Sequence, residues 1–174
     1  MPLYTGRVTD GLLHKEKGLR RILTLSRLSD TTGLHPDERL WKGIKTEQGY
    51  ESLFDNWIPS LAPPQELVAH WYHVGEYKKQ PLPWEQCKEE YLTHLNKKEQ
   101  QPFLNELARD AFRLDAGQRN TGIMLHCCCP HPKTQLHEDL CCHRVILAEK
   151  LAEIVRRVYK HEISIYHFHD AQTI

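Results

Sequence analysis

Gly122–Arg144, with the sequence GIMLHCCCPHPKTQLHEDLCCHR, is the stretch on which the fold depends. Its first six residues, 122–127, are an apolar run that predicts a buried β-strand. A loop with two prolines follows, and from about Asp139 or Cys142 to Tyr159 the pattern predicts the best helix of the chain. Five of the six cysteines and four of the twelve histidines lie within these 23 residues, so we expect the chemistry there as well.

The residues that follow extend this unit. Leu147, Leu151, Ile154 and Val158 recur at helical spacing and predict one apolar row, with charged residues facing outward. Residues 162–168 alternate apolar and polar side chains and predict a third strand. A strand, a helix and a strand in succession predict a right-handed parallel crossover.

The preceding chain supplies further strands and helices. Arg20–Ser26 is an apolar run that predicts a strand, Leu3–Val8 fits a short edge strand, and residues 29–50 are expected to form a long loop. Apolar side chains at helical spacing predict three helices, over residues 65–74, 84–95 and 101–112. We therefore predict a single α/β domain over residues 1–174, with a small, mainly parallel sheet of three to five strands flanked by helices in Rossmann-like layers.

Composition narrows the class of protein. The chain has 23 basic and 23 acidic residues, so no net field attracts nucleic acid or a membrane surface, and we expect neither partner. No run of about 18 apolar residues exists, and the N-terminus lacks the pattern of a secretory signal. We therefore expect a cytoplasmic protein. In that compartment clustered cysteines point to metal binding, redox chemistry or catalysis before structural disulfides.

Two arginines are candidate ligands for an anion. In a parallel sheet ligands sit beyond the carboxyl ends of the strands, and both Arg27 and Cys127 are predicted to fall there. Arg144 lies in the first turn of the long helix, where free backbone N–H groups attract negative charge. The two arginines, Arg27 and Arg144, together with His126 predict a pocket for a small phosphate or carboxylate ligand.

The thiols suggest a catalytic site at the same place. Cys142 would lie at the helix N-terminus beside His143 and Arg144, where the pKa of a thiol falls from ~8.5 toward 7 or lower. A thiol prepared in this way is a nucleophile, with His143 as its base and Cys127 as its partner. The alternative for Cys127 is an inert buried thiol, because free cysteine is among the most buried residue types.

Metal binding is the competing interpretation. A thiolate and imidazole shell for zinc or an iron–sulfur cluster can be drawn from Cys127, Cys129, Cys141, Cys142 and His143, with His126, His131 and His137 as further donors. The spacing is Cys-x-Cys, eleven residues and Cys-Cys-His, rather than two Cys-x-x-Cys knuckles. The protein would then be a structural or interaction module. A nucleic-acid-processing protein is the third class and the least expected.

Three segments resemble the family called domain of unknown function 488. They are Ile22–Arg27, the tryptophan- and proline-rich region Asp55–Leu67 with Trp84–Tyr91, and Ile123–Cys127 followed by the Cys-His-Arg sequence 142–144 and an amphipathic helix. The likeness covers roughly residues 20–168, and the last segment is its most specific part.

The resemblance implies a small α/β sheet domain without an established activity. The site positions that the resemblance implies in this chain are Arg27, Cys127, Cys142, His143 and Arg144. Cys129 stands where the family pattern often has a glutamate, which puts an acid–base role for that carboxylate in doubt. Cys128 and Cys141 are additional thiols, and the loop before Cys-His-Arg is longer than usual, which favours a metal or thiol chemistry particular to this chain.

Overall fold

A computed structural model describes residues 3–8, 11–25, 43–71, 82–116, 122–127 and 142–167 of the chain. The strands are β1 (Leu3–Arg7), β2 (Arg20–Leu23), β3 (Ile44–Thr46), β4 (Gly49–Glu51), β5 (Asn56–Trp57), β6 (Ile123–Cys127) and β7 (Ile165–His167). The helices are α1 (Gly11–Glu16), α2 (Gln65–Trp71), α3 (Trp84–Leu95), α4 (Gln101–Ala116) and α5 (His143–Tyr159), and a 3₁₀ turn spans Pro59–Leu61.

Five strands form one sheet in the order β5-β2-β6-β1-β7, and every neighbouring pair is parallel. The predicted α/β fold with a mainly parallel sheet is therefore confirmed. Strands β3 and β4 form a separate antiparallel hairpin. This hairpin lies inside the stretch 29–50, which was expected to be one long loop; residues 29–42 of that stretch lie outside the described residues.

The sheet is covered on both faces, which explains why its central strands are apolar throughout. All five residues of β6 are buried. In β2, Ile22 belongs to the large core that α2–α5 complete, whereas Leu23 belongs to a smaller cluster against which Leu12 of α1 packs. Successive side chains of a strand point to opposite faces, so a strand buried on both sides requires an unbroken apolar run.

The prediction of β1 as an edge strand is wrong. β1 lies between β6 and β7 and pairs with both, with Thr5 opposite Leu125 on one side and His167 on the other. Leu3, Thr5 and Gly6 are buried accordingly. The predicted parallel connection from β6 through α5 to β7 exists, but it passes over β1, because β7 pairs with β1.

Helix α5 begins and ends close to its predicted bounds. Cys142 is its N-cap, and Leu147, Leu151 and Ile154 are buried as expected. Val158 is 54% exposed, so its assignment to the buried row is wrong: in the last turn the contact with the core is made by Tyr159, whose ring stacks on Phe112 of α4. Within the described residues, no helix is long and apolar enough to span a membrane.

Candidate functional site

The carboxyl edge of the sheet brings three parts of the chain together. β6 ends at Cys127, Cys142 precedes the first turn of α5, and Thr24 directly follows β2. The register aligns these strands, since Leu23 pairs with His126 and the Thr24 backbone N–H donates to the His126 carbonyl oxygen at 3.3 Å. Cys127, Cys142 and Thr24 are fully buried.

Two sulfur atoms form the centre of the site. Cys127 Sγ and Cys142 Sγ lie 3.1 Å apart, which is a distance at which one thiol donates a hydrogen bond to the other sulfur. Arg144 Nη1 donates to Cys127 Sγ at 2.9 Å. Because a guanidinium is always charged and only donates, Cys127 sulfur is an acceptor that faces a fixed positive charge.

His143 is held in one tautomer by Thr24. Its Nε2 lies 3.0 Å from the Thr24 carbonyl oxygen and 3.1 Å from Thr24 Oγ1. A carbonyl oxygen only accepts, so Nε2 carries the proton and donates to it. Nδ1 of the neutral ring is then an acceptor, and it lies 3.9 Å from Cys142 Sγ. Thr24 Oγ1 in turn donates to the His126 carbonyl oxygen at 3.3 Å.

The floor of the site is aromatic. The Tyr91 ring of α3 meets the His143 ring edge-on, with 5.8 Å between ring centroids and 89° between the planes. The Tyr91 hydroxyl donates to the Leu61 carbonyl oxygen at 2.5 Å, which ties the ring to the 3₁₀ turn. An imidazole held by hydrogen bonds on one side and an aromatic ring on another keeps its orientation toward the sulfur.

His126 faces the other side of the sheet. Its Nε2 lies 2.7 Å from His14 Nδ1 of α1, so its ring is directed away from the two sulfurs. Gly6 makes room for this pair, since a Cβ there would come within 2.8 Å of His14 Cε1. The structure thus brings Cys127, Cys142, His143 and Arg144 together and separates the ring of His126 from them.

Burial keeps both of these histidines neutral. Burial is the main cause that lowers the pKa of His14 to about 4, with smaller contributions from Lys17 and Arg21. The pKa of His126 is also well below its usual value, first because the ring is buried and then because His14 is adjacent. One ring therefore donates and the other accepts, without a charge on either.

Three of the expected metal donors converge. The ligand atoms of Cys127, Cys142 and His143 all lie within 4.8 Å of one another, and each residue is buried. The Nε2–H bond of His143 to a backbone carbonyl is the arrangement that orients metal-binding imidazoles, with Nδ1 as the ligand atom. Cys129, Cys141, Cys128 and Arg27 lie outside the described residues, so their predicted places in the site stay predictions.

Sequence reasoning missed Thr24 and Tyr91. Thr24 is 119 residues from His143 along the chain, and Tyr91 appeared only within the predicted helix over residues 84–95 and the family-like segment Trp84–Tyr91. The one available signal for Thr24 was its place at the end of an apolar run, on the same strand face as Ile22.

A separate groove of about 570 Å³ lies at the opposite end of the sheet. Arg20, Asp55 and Asp110 line it. Arg20 opens β2 and lies about 13 Å along that strand from Thr24 at the usual rise per residue. Its guanidinium is paired with Asp110 at 2.6 Å and with Asn56 at 3.0 Å. Asp55 pairs with Arg21, which does not line the groove. The groove takes no part in the thiol site.

A family model matches most of the chain. Residues 19–155 match the family described as DUF488-N3a, the active DUF488-N3 subclade. The matched range contains Thr24, Cys127, Cys142, His143 and Arg144. No curated protein and no solved structure shows a significant match.

Proposed function

The chain belongs to the DUF488 family, and we propose that it acts as a thiol-dependent enzyme on a small anionic substrate. Cys142 is the nucleophile in this proposal, His143 its base, Cys127 its partner thiol and Arg144 a binding group for the anion. One observation carries the proposal: an unbroken buried series of contacts from Arg144 through Cys127, Cys142 and His143 to Thr24.

The series supplies what a nucleophilic thiol needs. His143 Nδ1 accepts the proton of Cys142, and the hydrogen bond from Nε2 to Thr24 stabilises the imidazolium that results. The negative charge that develops on Cys142 sulfur lies at the N-terminus of α5, beside the Cys127 sulfur to which Arg144 Nη1 donates. Charges interact more strongly in a buried site than in water, so these few groups have a large effect.

Arg144 is the reason for proposing that the substrate is an anion. A guanidinium has five N–H donors in a planar fork, so it can bind an oxyanion as well as a sulfur. The chain as a whole has no net charge, so the attraction for a negative group is the local effect of this buried cation. Arg27, which the sequence places at the same strand edge, is proposed as the second arginine of the clamp. The subclade that the chain matches is described as active, and we take that activity to be catalysis.

Alkylation tests the nucleophile and the anion clamp together. We expect iodoacetate, an anion, to modify Cys142 at pH 7 at least tenfold faster than neutral iodoacetamide does, and Arg144→Gln to abolish this preference. The chain for this measurement carries Cys128→Ser, Cys129→Ser and Cys141→Ser, so that the modified residue can be assigned by peptide mass. Cys142→Ser should remove the reaction. Cys87→Ser is the matched control, because Cys87 belongs to α3 and packs in the large hydrophobic core.

Two results contradict the proposal. A Cys142 that stays unmodified in folded protein would show that it is no nucleophile. Equal rates for both reagents would remove the anion clamp. Circular dichroism of each variant establishes that the fold is retained.

The converging donors favour a second candidate function, metal binding. Zinc binds two thiolates and an imidazole in catalytic sites with Zn–S bonds of ~2.3 Å, which sets tetrahedral sulfur atoms about 3.8 Å apart. Cys127 and Cys142 sulfurs lie 3.1 Å apart and would have to separate by about 0.7 Å. Cys129 or Cys141 is the candidate fourth ligand in this proposal.

Cobalt(II) provides a direct test of the metal site. Protein purified anaerobically and titrated with cobalt(II) should show intense thiolate-to-cobalt absorption at one equivalent, lost in Cys127→Ser but kept in Cys87→Ser. Zinc bound in the folded state would also raise Tm, and a chelator would reverse that rise. Absence of both signals excludes this candidate. Nucleic-acid processing stays the third prediction, to be tested by a salt-dependent binding isotherm.

A further inference from the structure

The two buried sulfurs support a chemical step beyond substrate attack. We propose that Cys127 and Cys142 form a reversible disulfide, and that a hydroperoxide is the oxidant. The inference rests on the proposed function in one respect, the reactivity of Cys142.

The geometry of the pair carries the inference. Cys127 Sγ and Cys142 Sγ are 3.1 Å apart, and a disulfide bond of ~2.05 Å requires them to approach by only about 1 Å. Both cysteines are unbridged in the structure. Cys127 is the last residue of β6, and Cys142 is the extended residue before α5, with φ −135° and ψ 142°. The movement therefore falls on a residue at an element boundary rather than within a strand or helix.

The surrounding groups assign the order of the steps. Cys142 sulfur, deprotonated by His143, attacks the outer oxygen of the hydroperoxide; an S–O bond forms, the O–O bond breaks, and the alcohol leaves with the proton from His143. Cys127 then attacks the sulfur of the Cys142 sulfenic acid; the S–S bond forms, the S–O bond breaks, and hydroxide leaves with the Cys127 proton as water. Two thiols lose two electrons in total, and the peroxide bond gains them.

Arg144 assigns Cys127 to the second step. Its Nη1 donates to Cys127 Sγ and favours negative charge on that sulfur, so the resolving thiol is prepared next to the site of oxidation. A resolving cysteine within contact distance shortens the lifetime of the sulfenic acid and protects it from irreversible oxidation.

Cys87 is the internal control for this chemistry. Burial first, and then the carboxylate of Glu90, raise the pKa of Cys87 to about 11. Its thiol lies in the large core cluster and contacts the Leu82 carbonyl oxygen at 3.8 Å. Cys127 and Cys142 are equally buried but contact Arg144 and His143, whereas burial and Glu90 keep the Cys87 thiol protonated, so peroxide should leave Cys87 reduced.

Mass spectrometry tests the disulfide directly. In the chain with Cys128→Ser, Cys129→Ser and Cys141→Ser, one equivalent of hydrogen peroxide should remove two hydrogen atoms from the protein mass and link the peptides of Cys127 and Cys142. Dithiothreitol should restore the original mass. A further change of Cys127→Ser should trap the sulfenic acid on Cys142, seen as a dimedone adduct, whereas Cys142→Ser should give neither product. The same mapping on the unaltered chain covers the case in which the triple serine variant is unstable.

Each outcome decides the inference. A link between other cysteines, or Cys127 and Cys142 both reduced after peroxide treatment, overturns it. An adduct on Cys127→Ser protein together with no disulfide in the parent also overturns it. A disulfide without faster iodoacetate reaction would refute only the anion clamp of the proposed function, and faster iodoacetate reaction without a disulfide would refute only this step.

Discussion

Thr24 fixes the direction of proton transfer at the residue scale. Its carbonyl and hydroxyl oxygens both face His143 Nε2, so the opposite nitrogen of the ring is left for Cys142. The hydroxyl also donates to the His126 carbonyl oxygen, which binds β2 to β6 at the edge where the site lies. Thr24 touches neither sulfur in these contacts. It is a positioning residue that acts through His143.

Thr24→Val should slow alkylation of Cys142 by iodoacetate at pH 7 roughly tenfold, because one hydrogen bond of ~1–1.5 kcal/mol to the imidazolium is lost while the shape is kept. The pH profile of the reaction should shift upward with it, since the base is weaker. Thr24→Ser retains the hydroxyl and should restore both quantities. A slower reaction with an unchanged pH profile, or no rescue by serine, would show that Thr24 supports only the packing.

The reactive residue types could be predicted from sequence, but the groups that position them could not. Cys142, His143 and Arg144 are adjacent along the chain, and the helix pattern alone indicates that they share one N-terminus. The hydrogen bonds to Thr24 connect residues 119 positions apart, and no periodicity reports such a contact. The ring of His126 faces away from the sulfurs because strand alternation turns neighbouring side chains to opposite faces.

At the element scale, α5 ends on a residue in a left-handed conformation. Lys160 has φ 57° and ψ 35°, and its backbone N–H donates to the Arg156 carbonyl oxygen. Only this residue among the described non-glycine residues has a positive φ. A side chain in this conformation is strained, and glycine is the residue that usually occupies the position.

Lys160→Gly should therefore raise the free energy of unfolding by about 0.5–1 kcal/mol, measured by urea denaturation with an unchanged m-value. Lys160→Ala removes the same charge near the helix C-terminus but keeps the Cβ, so it controls for the loss of the lysine. We expect alanine to give no gain. Equal stabilities of the glycine and alanine variants would mean that the left-handed cap is not the source of strain.

Long elements with strong periodicity were predicted well, and short ones were not. The predicted helix over residues 84–95 coincides with α3, and α5 begins within the expected range. α1 has six residues and β5 only two, too few for a pattern to accumulate, and both were missed. The position of β1 in the sheet depends on strands more than a hundred residues away, so its own sequence could not distinguish an edge from the interior.

On the scale of the whole molecule, buried neutral histidines link stability to pH. In the unfolded chain His14 titrates near 6.5, whereas in the folded protein burial, Lys17 and Arg21 lower its pKa to about 4. The pKa of His126 is lowered as well, mainly by burial. Protons therefore bind the unfolded state first as the pH falls. The contribution of the neutral histidines to the free energy of unfolding is complete above about pH 6.5 and declines toward pH 4.

Urea denaturation at pH 7, 6 and 5 should show this decline, with a slope of up to ~1.4 kcal/mol per pH unit for each histidine once the pH is below its unfolded pKa. His14→Gln should reduce the slope between pH 6 and 5. His70→Gln removes a partly exposed histidine of α2 and controls for the change from histidine to glutamine itself. A stability that is constant from pH 7 to 5 would contradict neutral burial of the pair.

Asp55 makes the stability of the fold depend on pH in a more acidic range than the two histidines do. Burial alone would raise the pKa of Asp55, but hydrogen bonds from the Arg21 side chain and backbone outweigh it and hold the pKa below its usual value of 3.8. Its contribution is present above that pH and is lost only in stronger acid. The two losses of stability can thus be separated in one acid titration, because the histidines take up protons at a higher pH than Asp55 does.

The fold class as a whole could be predicted because helices on both faces of a parallel sheet require apolar strands, and such runs are visible at residues 20–26 and 122–127. The strand order could not, since it depends on packing between distant segments.

That strand order has a consequence for synthesis on the ribosome. Between residues 3–7 and the neighbouring strand at residues 123–127 lie 115 residues, and the other neighbour, residues 165–167, is made later still. On the ribosome β1 therefore emerges long before either partner, and the sheet cannot be completed until both have emerged. Because the sheet is completed late, we expect a chaperone to shield residues 3–7 during synthesis, or the chain to become protease-resistant only after a delay.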